Sequence, residues 1–465
     1  MSALGIVDVD VIVIGAGISG LAAAFGLKQH GASVEVFDAA ARAGGVIGTV
    51  HRDGALFETG PNSALDTTPL INELLDGLDI RAERLEASAV ASRRFIVRGG
   101  TLIPLPTSPQ AFLTTPAFSF RAKLRLMRAP FIAAAPPDAE ESIAAFVRRR
   151  LGAEVLDYAI DPFVSGIYAG DPERISVPAA FPRLHALEQK YGSLIRGQIK
   201  GASERKSNTE KGKNVAGSFS FGGGMQTITD ALARAVGRVT TGVQVQSIAR
   251  DAGGLWTITG TRDGERIVRR AKAVVLATPA YEAARLVREL APAATQGLAA
   301  IDYAPIASVA TAFRRADVTH SLAGFGFLVP KKERREILGS LFSSSMFEGR
   351  APVGTVLLTS FAGGRRNPEL MAKSDAELGQ LVHAELGTLV GAASAPLWIA
   401  ITRWTRAIPQ YDLGHRERLR PVEDAERALP GLFFCASYRG GVSVGDRIQS
   451  AHATTGVVTR FLGVG

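Results

Sequence analysis

The sequence has a single cysteine, Cys435, in 465 residues, which excludes an internal disulfide and any thiolate metal cluster. That usage fits a reducing compartment, so a cytoplasmic protein is expected. Histidine is sparse: seven residues, at 30, 51, 185, 320, 383, 415 and 452, with no pair at ligand spacing. No structural or catalytic metal is therefore expected, and no Ser-His-Asp or Cys-His grouping for nucleophilic catalysis is evident. Long apolar runs are missing too. Residues 11–27, "VIVIGAGISGLAAAFGL", are interrupted by Gly15, Gly17 and Gly20 and fall short of the ~20 residues of a spanning helix. The first ten residues, "MSALGIVDVD", hold two aspartates and no cation, so they do not read as a secretory signal.

What is present is ordinary in bulk. The chain is 46% apolar and 21% charged, a soluble globular composition, and long enough for two or three domains. Fifty glycines imply many tight turns and close backbone approaches. The charge balance, 53 − 44 = +9, is uneven: residues 121–150 carry seven Arg/Lys against three acids, and residues 196–213 six against two. These stretches read either as solvated faces or as a basic surface for anionic lipid or substrate. No nucleic-acid reader motif accompanies them, and nucleic acid is not expected as a partner.

Residues 9–14, "VDVIVI", read as a buried parallel strand. Gly15-Ala16-Gly17-Ile18-Ser19-Gly20 follows, then a helix to about Gln29. A second apolar strand in "HGASVEVFD" ends at Asp38, 18 residues beyond Gly20. The first glycine permits the tight turn, the second lets backbone approach a pyrophosphate, and the third packs helix against strand. The helix N-terminus offers unpaired N–H groups and a positive dipole end to phosphates. An acid at the end of the second strand accepts hydrogen bonds from a ribose hydroxyl. Together these make a dinucleotide-binding unit.

Further on, residues 92–109 look like a hairpin with the pair Arg93-Arg94 at its entry, and "DAEESIAAFVRRRLG" has helix grammar that stops at Gly152. Residues 110–200 read as mainly helical, and the polar stretch 201–217 as a mobile loop. A hairpin over "VTTGVQVQSIARDAGGLWTITG", a buried strand in "AKAVVLATPA" and a strand, glycine turn and helix from about Val444 complete the pattern.

Past Asp38 the sequence reads "AAARAGGVIGT", with Arg42, Gly44, Gly45 and Val46. This continuation resembles the FAD-binding families of glutathione-reductase type, and among them the amine oxidase/protoporphyrinogen oxidase superfamily. "GPNS" at 60–63, "GIYAGD" at 166–171, "GFGFLVP" at 324–330, "IPQYDLG" at 408–414 and "GGVSVGD" at 440–446 resemble the oxygen-dependent protoporphyrinogen oxidases more narrowly. The resemblance, which runs from about residue 9 to about 460, implies an α/β + α architecture. A glutathione-reductase-type, Rossmann-like FAD domain would take residues 1–65, 215–285 and 425–465. A mixed-sheet substrate domain would take 66–95 and 286–424, and a helical, membrane-associated domain 96–214. The implied chemistry removes six electrons and six protons from protoporphyrinogen IX in three flavin cycles. Dioxygen reoxidises the non-covalent FAD and leaves as hydrogen peroxide, so the protein mainly binds, orients and excludes water.

By the same resemblance the cofactor is held by Gly15, Ala16, Gly17, Ile18, Ser19, Gly20, Asp38, Arg42, Gly44, Gly45 and Val46. Gly60, Pro61, Asn62, Ser63, Val245, Trp404, Ala436, Val442, Ser443 and Val444 complete that set. Asp38 stands where glutamate is commoner, which shortens the reach to ribose. Arg94 would fork onto a propionate; a surface arginine beside Arg93 is the plainer reading of the residue alone. Leu328, Phe361 and Phe325 would face the macrocycle, with Asn62 near the flavin ring and backbone from Gly166 to Gly170 on the substrate side. The resemblance also implies peripheral attachment to the cytoplasmic membrane, for which residues 112–137 have a suitable mix of apolar clusters and cations. A homodimer and contact with the next haem-pathway enzyme are further expectations. Coproporphyrinogen III is the alternative substrate; an amine or carotenoid oxidase and a non-enzymatic flavoprotein are the more distant readings.

Overall fold

The computed structural model describes residues 7–106, 108–136, 139–192 and 217–464. The loop expected near 201–217 falls outside these, apart from Gly217, as does the basic stretch 196–213. β1 (Val9–Ile14), α1 (Ile18–Gln29) and β2 (Val34–Phe37) form the expected β-α-β unit, with the strands parallel and Val11 opposite Val34. All of β2 and nearly all of β1 are buried, because layers cover both faces of this sheet and polar alternation has no place there. Glu265–Leu276 flanks β1 on its other side, Leu432–Phe434 pairs with the end of that strand, and Val239–Thr240 pairs with β2. Five parallel strands thus come from three distant stretches of chain. Gln244–Arg250 and Trp256–Arg262 extend the sheet antiparallel.

α1 and the C-terminal helix Val444–Leu462 cover one face, packed closely enough that a Cβ on Gly26 would lie 2.7 Å from Thr455 Oγ1. Helices Ala280–Leu286, Pro292–Ala299 and His415–Ala428 cover the other, over Ile12, Val274 and Leu276.

A second seven-stranded sheet runs in the order Trp398–Pro409, Tyr303–Arg314, Thr355–Gly363, Ile337–Leu341, Gly326–Leu328, Arg94–Arg98, Thr101–Pro104. Its strands alternate with period two. Val309, Phe313 and Leu358 point to the rear, where Leu378, Val382 and Leu386 of helix Asp375–Val390 bury them. Ala310, Ala312, Leu357 and Trp398 point to the front, onto Ala55 and Phe57 of the hairpin Thr49–Arg52/Ala55–Glu58. Each large apolar side chain so buried contributes roughly 1.5–3 kcal/mol. The hairpin read at residues 92–109 is present as the edge of this sheet, so helix begins only at Pro109.

Helices between Pro109 and Tyr191 close over one end of that edge around Ile96, Phe146, Val147, Leu156 and Tyr168. Helix Ile143–Arg150 starts at Ser142, whose hydroxyl accepts from Ala145 N–H at 3.1 Å, and the acids expected in its first turn precede it. Its arginines do not form a free basic face. Arg148 pairs with Glu173, Arg149 with Glu141 and Glu188, and the fully buried Arg150 with Glu188. Lys123 and Arg125 are spent on backbone carbonyls. Arg121 and Arg128, without ion-pair partners among the described residues, flank an exposed apolar stripe on helix Phe120–Met127: Phe120, Leu124 and Met127, followed by Phe131. No helix among the described residues is long and apolar enough to cross a membrane.

Candidate active site

The three glycines of the first turn meet three different surroundings. Gly15 has φ +110°, and a Cβ there would stand 2.7 Å from the Ala277 carbonyl oxygen. A Cβ on Gly20 would overlap the Gly15 carbonyl and come within 2.9 Å of Ala277 Cβ. Gly17 has nothing within 4 Å of the position its Cβ would take. The first and third glycines are therefore required by the protein itself, and the second opens onto free space. α1 has no side-chain cap at Gly17, so the amides around Ile18 and Ser19 are left for an anion. This cradle fits a dinucleotide pyrophosphate.

Around it the other residues of the first segment assemble. Gly44 N–H donates to the Ala16 carbonyl at 2.7 Å, and a Cβ on Gly45 (φ +59°) would sit 3.1 Å from Gly17 Cα. Arg42, itself exposed, holds this loop, donating to the carbonyls of Ala43 and Ile47 at 2.9 and 2.8 Å. Asp38 accepts from Ala16 N–H at 2.6 Å and Ala40 N–H at 2.8 Å, which fixes its carboxylate at the mouth of the turn. Val46 is exposed on the same rim, and its carbonyl lies where a Cβ of Gly60 would be. Pro61 follows. Asn62 donates back to the Gly60 carbonyl at 3.2 Å, and Ser63 accepts from Ser218 Oγ at 2.9 Å.

The remaining cofactor candidates come from distant segments. Val245 is buried, and Arg285 holds its carbonyl at 2.7 Å. Trp404 donates from Nε1 to the Thr59 carbonyl at 2.7 Å, which ties the second sheet to the turn at Gly60. Ala436 is buried with its carbonyl held by Arg447 at 2.6 Å. Val442 and the buried Val444 flank Ser443, the cap of the C-terminal helix, whose hydroxyl accepts from Asp446 N–H.

The substrate candidates converge on the front face of the second sheet. In register across its strands run Ile96, Leu328, Gly339, Phe361 and Ser308. Two residues along, on the same face, run Arg94, Gly326, Leu341, Thr359 and Ala310. Gly339 puts no side chain between Leu328 and Phe361, whose strands stand two sheet spacings, roughly 10 Å, apart, and Leu328 Cδ2 leans over it, 3.3 Å from where a Cβ would be. Arg94 has no ion-pair partner among the described residues, and its guanidinium lies over the Phe325 ring at 5.0 Å. It is exposed, and desolvation lowers its pKa. Apart from Arg94 these two rows hold no acid or base.

Helix Asp161–Tyr168 closes the slot from the side: a Cβ on Gly166 would be 3.0 Å from Leu328 Cδ2. Gly170 is equally tight, its Cβ position lying 2.7 Å from Gln410 Oε1. The Tyr168 carbonyl is taken by Gln410 Nε2 at 2.8 Å and the Ala169 carbonyl by Arg365 N–H at 2.7 Å.

Sequence reasoning passed over a buried pair at the hairpin Thr49–Arg52/Ala55–Glu58. Glu58 lies 3.2 Å from Arg350, and accepts from Met225 N–H at 2.9 Å and Thr49 Oγ1 at 2.7 Å. Burial raises the Glu58 pKa and lowers that of Arg350. The signal for Glu58 was an acid in the apolar run "ALFE"; its partner, far off in a loop, left none.

Comparison with known proteins agrees with this geometry. The family model described as flavin-containing amine oxidoreductase matches residues 18–458. The chain belongs to that family, and its cofactor is a flavin. Among its relatives, mitochondrial protoporphyrinogen oxidase of Nicotiana tabacum is 35% identical, covering 97% of this chain and 95% of its own. Protoporphyrinogen oxidase 2 of Arabidopsis thaliana is 34% identical over 97% of this chain and 94% of its own. Coproporphyrinogen III oxidase of Bacillus subtilis is 27% identical over 97% and 98%. A solved Exiguobacterium structure, provisionally named a protoporphyrinogen oxidase, superposes with a TM-score of 0.81 at 24% identity, covering 99% of this chain and all of that one. At that identity the likeness speaks for the fold.

Proposed function

We propose that this chain oxidises protoporphyrinogen IX to protoporphyrin IX for haem biosynthesis, using non-covalent FAD and dioxygen. One observation carries the reading: the Leu328–Gly339–Phe361 row, with the unpaired Arg94 on the same sheet face, turned toward the Gly60 turn that Trp404 ties down. A large apolar disc with a carboxylate on its edge fits such a slot. The bound flavin supplies the two-electron oxidations. The chain's own residues hold the macrocycle by its faces, hold a propionate at Arg94, and keep water from the reacting edge. Cys435 supports non-covalent binding: it is buried against the Ser19 carbonyl, and burial raises its thiol pKa, so no thiolate is offered to the flavin. The exposed stripe around Phe120 and Phe131 (79% and 82% exposed), between Arg121 and Arg128, supports peripheral membrane attachment.

The second reading, coproporphyrinogen III, is favoured by the similarity to the Bacillus subtilis oxidase. Aerobic fluorescence with each porphyrinogen separates the two. Faster fluorescence from protoporphyrinogen IX is expected, and Arg94→Ala should raise KM about tenfold, the scale of losing one charged hydrogen-bonded contact. Preference for coproporphyrinogen III would install the second reading.

A further inference from the structure

The strand Thr355–Gly363 ends two residues after Phe361 in the turn "GGRR", residues 363–366. This turn grips helix Asp161–Tyr168 at both ends. At the start of the helix, Arg366 Nη2 donates to the two Asp161 carboxylate oxygens, at 3.2 and 3.0 Å, and to Ser165 Oγ at 2.6 Å. Its Nη1 donates to the Val329 carbonyl at 2.7 Å. Lys331 N–H donates to Asp161 at 2.7 Å from the same loop. At the other end, Arg365 N–H holds the Ala169 carbonyl at 2.7 Å. Gly364 (φ +70°) approaches that oxygen so closely that a Cβ would be 2.8 Å away. Both ions are sequestered, with 9% of the Arg366 and 8% of the Asp161 side chain exposed.

A pair so buried is a poor source of net stability compared with apolar packing of the same volume. Its value lies in what it fixes. Val329 follows Leu328 directly, and Gly166 lies on the helix that Asp161 begins, against Leu328 Cδ2. One guanidinium, on the turn that follows Phe361, thus holds both the strand end bearing Leu328 and the helix bearing Gly166.

We propose that Arg366, with Asp161 and the turn at 363–366, is a positioning element that sets the width of the macrocycle slot and so its affinity for the tetrapyrrole. It does not touch the substrate. The proposal rests on the porphyrinogen reading given above.

The test uses flavin-loaded enzyme. Asp161→Leu/Arg366→Met replaces the pair with apolar side chains and leaves no lone buried charge; Arg366→Lys keeps the charge but loses the fork. For the double variant, KM for protoporphyrinogen IX should rise about tenfold with kcat within about twofold, as expected for a slot misplaced by a fraction of an ångström. The dissociation constant of protoporphyrin IX, read by quenching of its fluorescence, should rise in parallel, with flavin content and Tm unchanged. Arg366→Lys should fall between. A folded double variant whose KM and porphyrin affinity match the wild type overturns the proposal. So does loss of flavin with an equal fall in kcat, which marks a merely structural pair. A wild-type chain that turns over neither porphyrinogen overturns the functional reading and this proposal with it; an active wild type beside an unaltered variant overturns this proposal alone.

Discussion

Gly17 and Gly20 stand three residues apart in one motif, but an added methyl group meets open space at the first and backbone at the second. Gly17 also has φ −73°, which any residue adopts. Gly17→Ala should therefore leave the stability of the flavin-free protein within about 0.5 kcal/mol of wild type, yet weaken flavin retention. Gly20→Ala should unfold the turn itself. Melting the apoproteins and measuring flavin content after gel filtration checks both, and a flavin-replete Gly17→Ala would remove the cradle assignment. These glycines, with Asp38, were legible because their demands are local: a turn, a helix start and a strand end within thirty residues. Arg94 was legible only by resemblance. Its lack of a counter-ion among the described residues and its place beside Phe325 follow from strands that pair across more than two hundred residues.

Short elements here are braced by buried polar groups that the local sequence does not pair. Removing one partner of the Glu58–Arg350 pair strands the other charge, so Arg350→Met should cost about 3–5 kcal/mol, read by denaturant melts. A shift below 1 kcal/mol would mean that the hairpin is held by Phe57 and Trp398 alone. The glycine turn before the C-terminal helix is braced similarly. Tyr411 OH donates to the Ser437 carbonyl and accepts from Gly441 N–H, both at 2.8 Å. His415, stacked on Tyr411 with centroids 4.2 Å apart, donates from Nε2 to the Tyr438 carbonyl at 2.8 Å. Burial lowers the His415 pKa. The unfolded chain then binds a proton that the native state refuses, so this group's contribution is full above its unfolded pKa of about 6.5 and is lost as pH falls below it. A Tm series from pH 8 to 5 should fall toward acid, and His415→Phe should flatten the slope; an unchanged slope would assign it to other groups. The stretch "IPQYDLG" was singled out in the sequence, but the stacking and the carbonyls it holds needed the fold.

At the scale of the whole molecule, the flavin-side sheet, the slot-bearing sheet and the helical cover correspond to layers whose periodicities differ along the chain: unbroken apolar strands, alternating strands, then amphipathic turns. Of these, the apolar strands of the flavin-side sheet and the mainly helical stretch from residue 110 were legible; the alternation of the second sheet was not, and a substrate sheet there was expected by resemblance. The basic stretch at residues 121–150 misled, because charge counting does not see that Arg149 and Arg150 turn inward onto Glu188. What faces out on helix Phe120–Met127 is an apolar stripe flanked by Arg121 and Arg128. Vesicles of anionic lipid at low salt should bind the protein, and Phe120→Ser/Phe131→Ser should release it without altering flavin content. Binding that vanishes with salt but survives the double variant would make the contact electrostatic and the apolar stripe incidental.

The fifth parallel strand, Leu432–Phe434, closes on residues 274–276 only after residues 277–431 have been laid down. During synthesis the nucleotide sheet therefore waits with a bare edge while five of the seven strands of the second sheet are made, and the helix that backs α1 emerges later still. Cofactor capture becomes a final checkpoint. A message cut anywhere ahead of that strand would yield a product as colourless as one cut near its start.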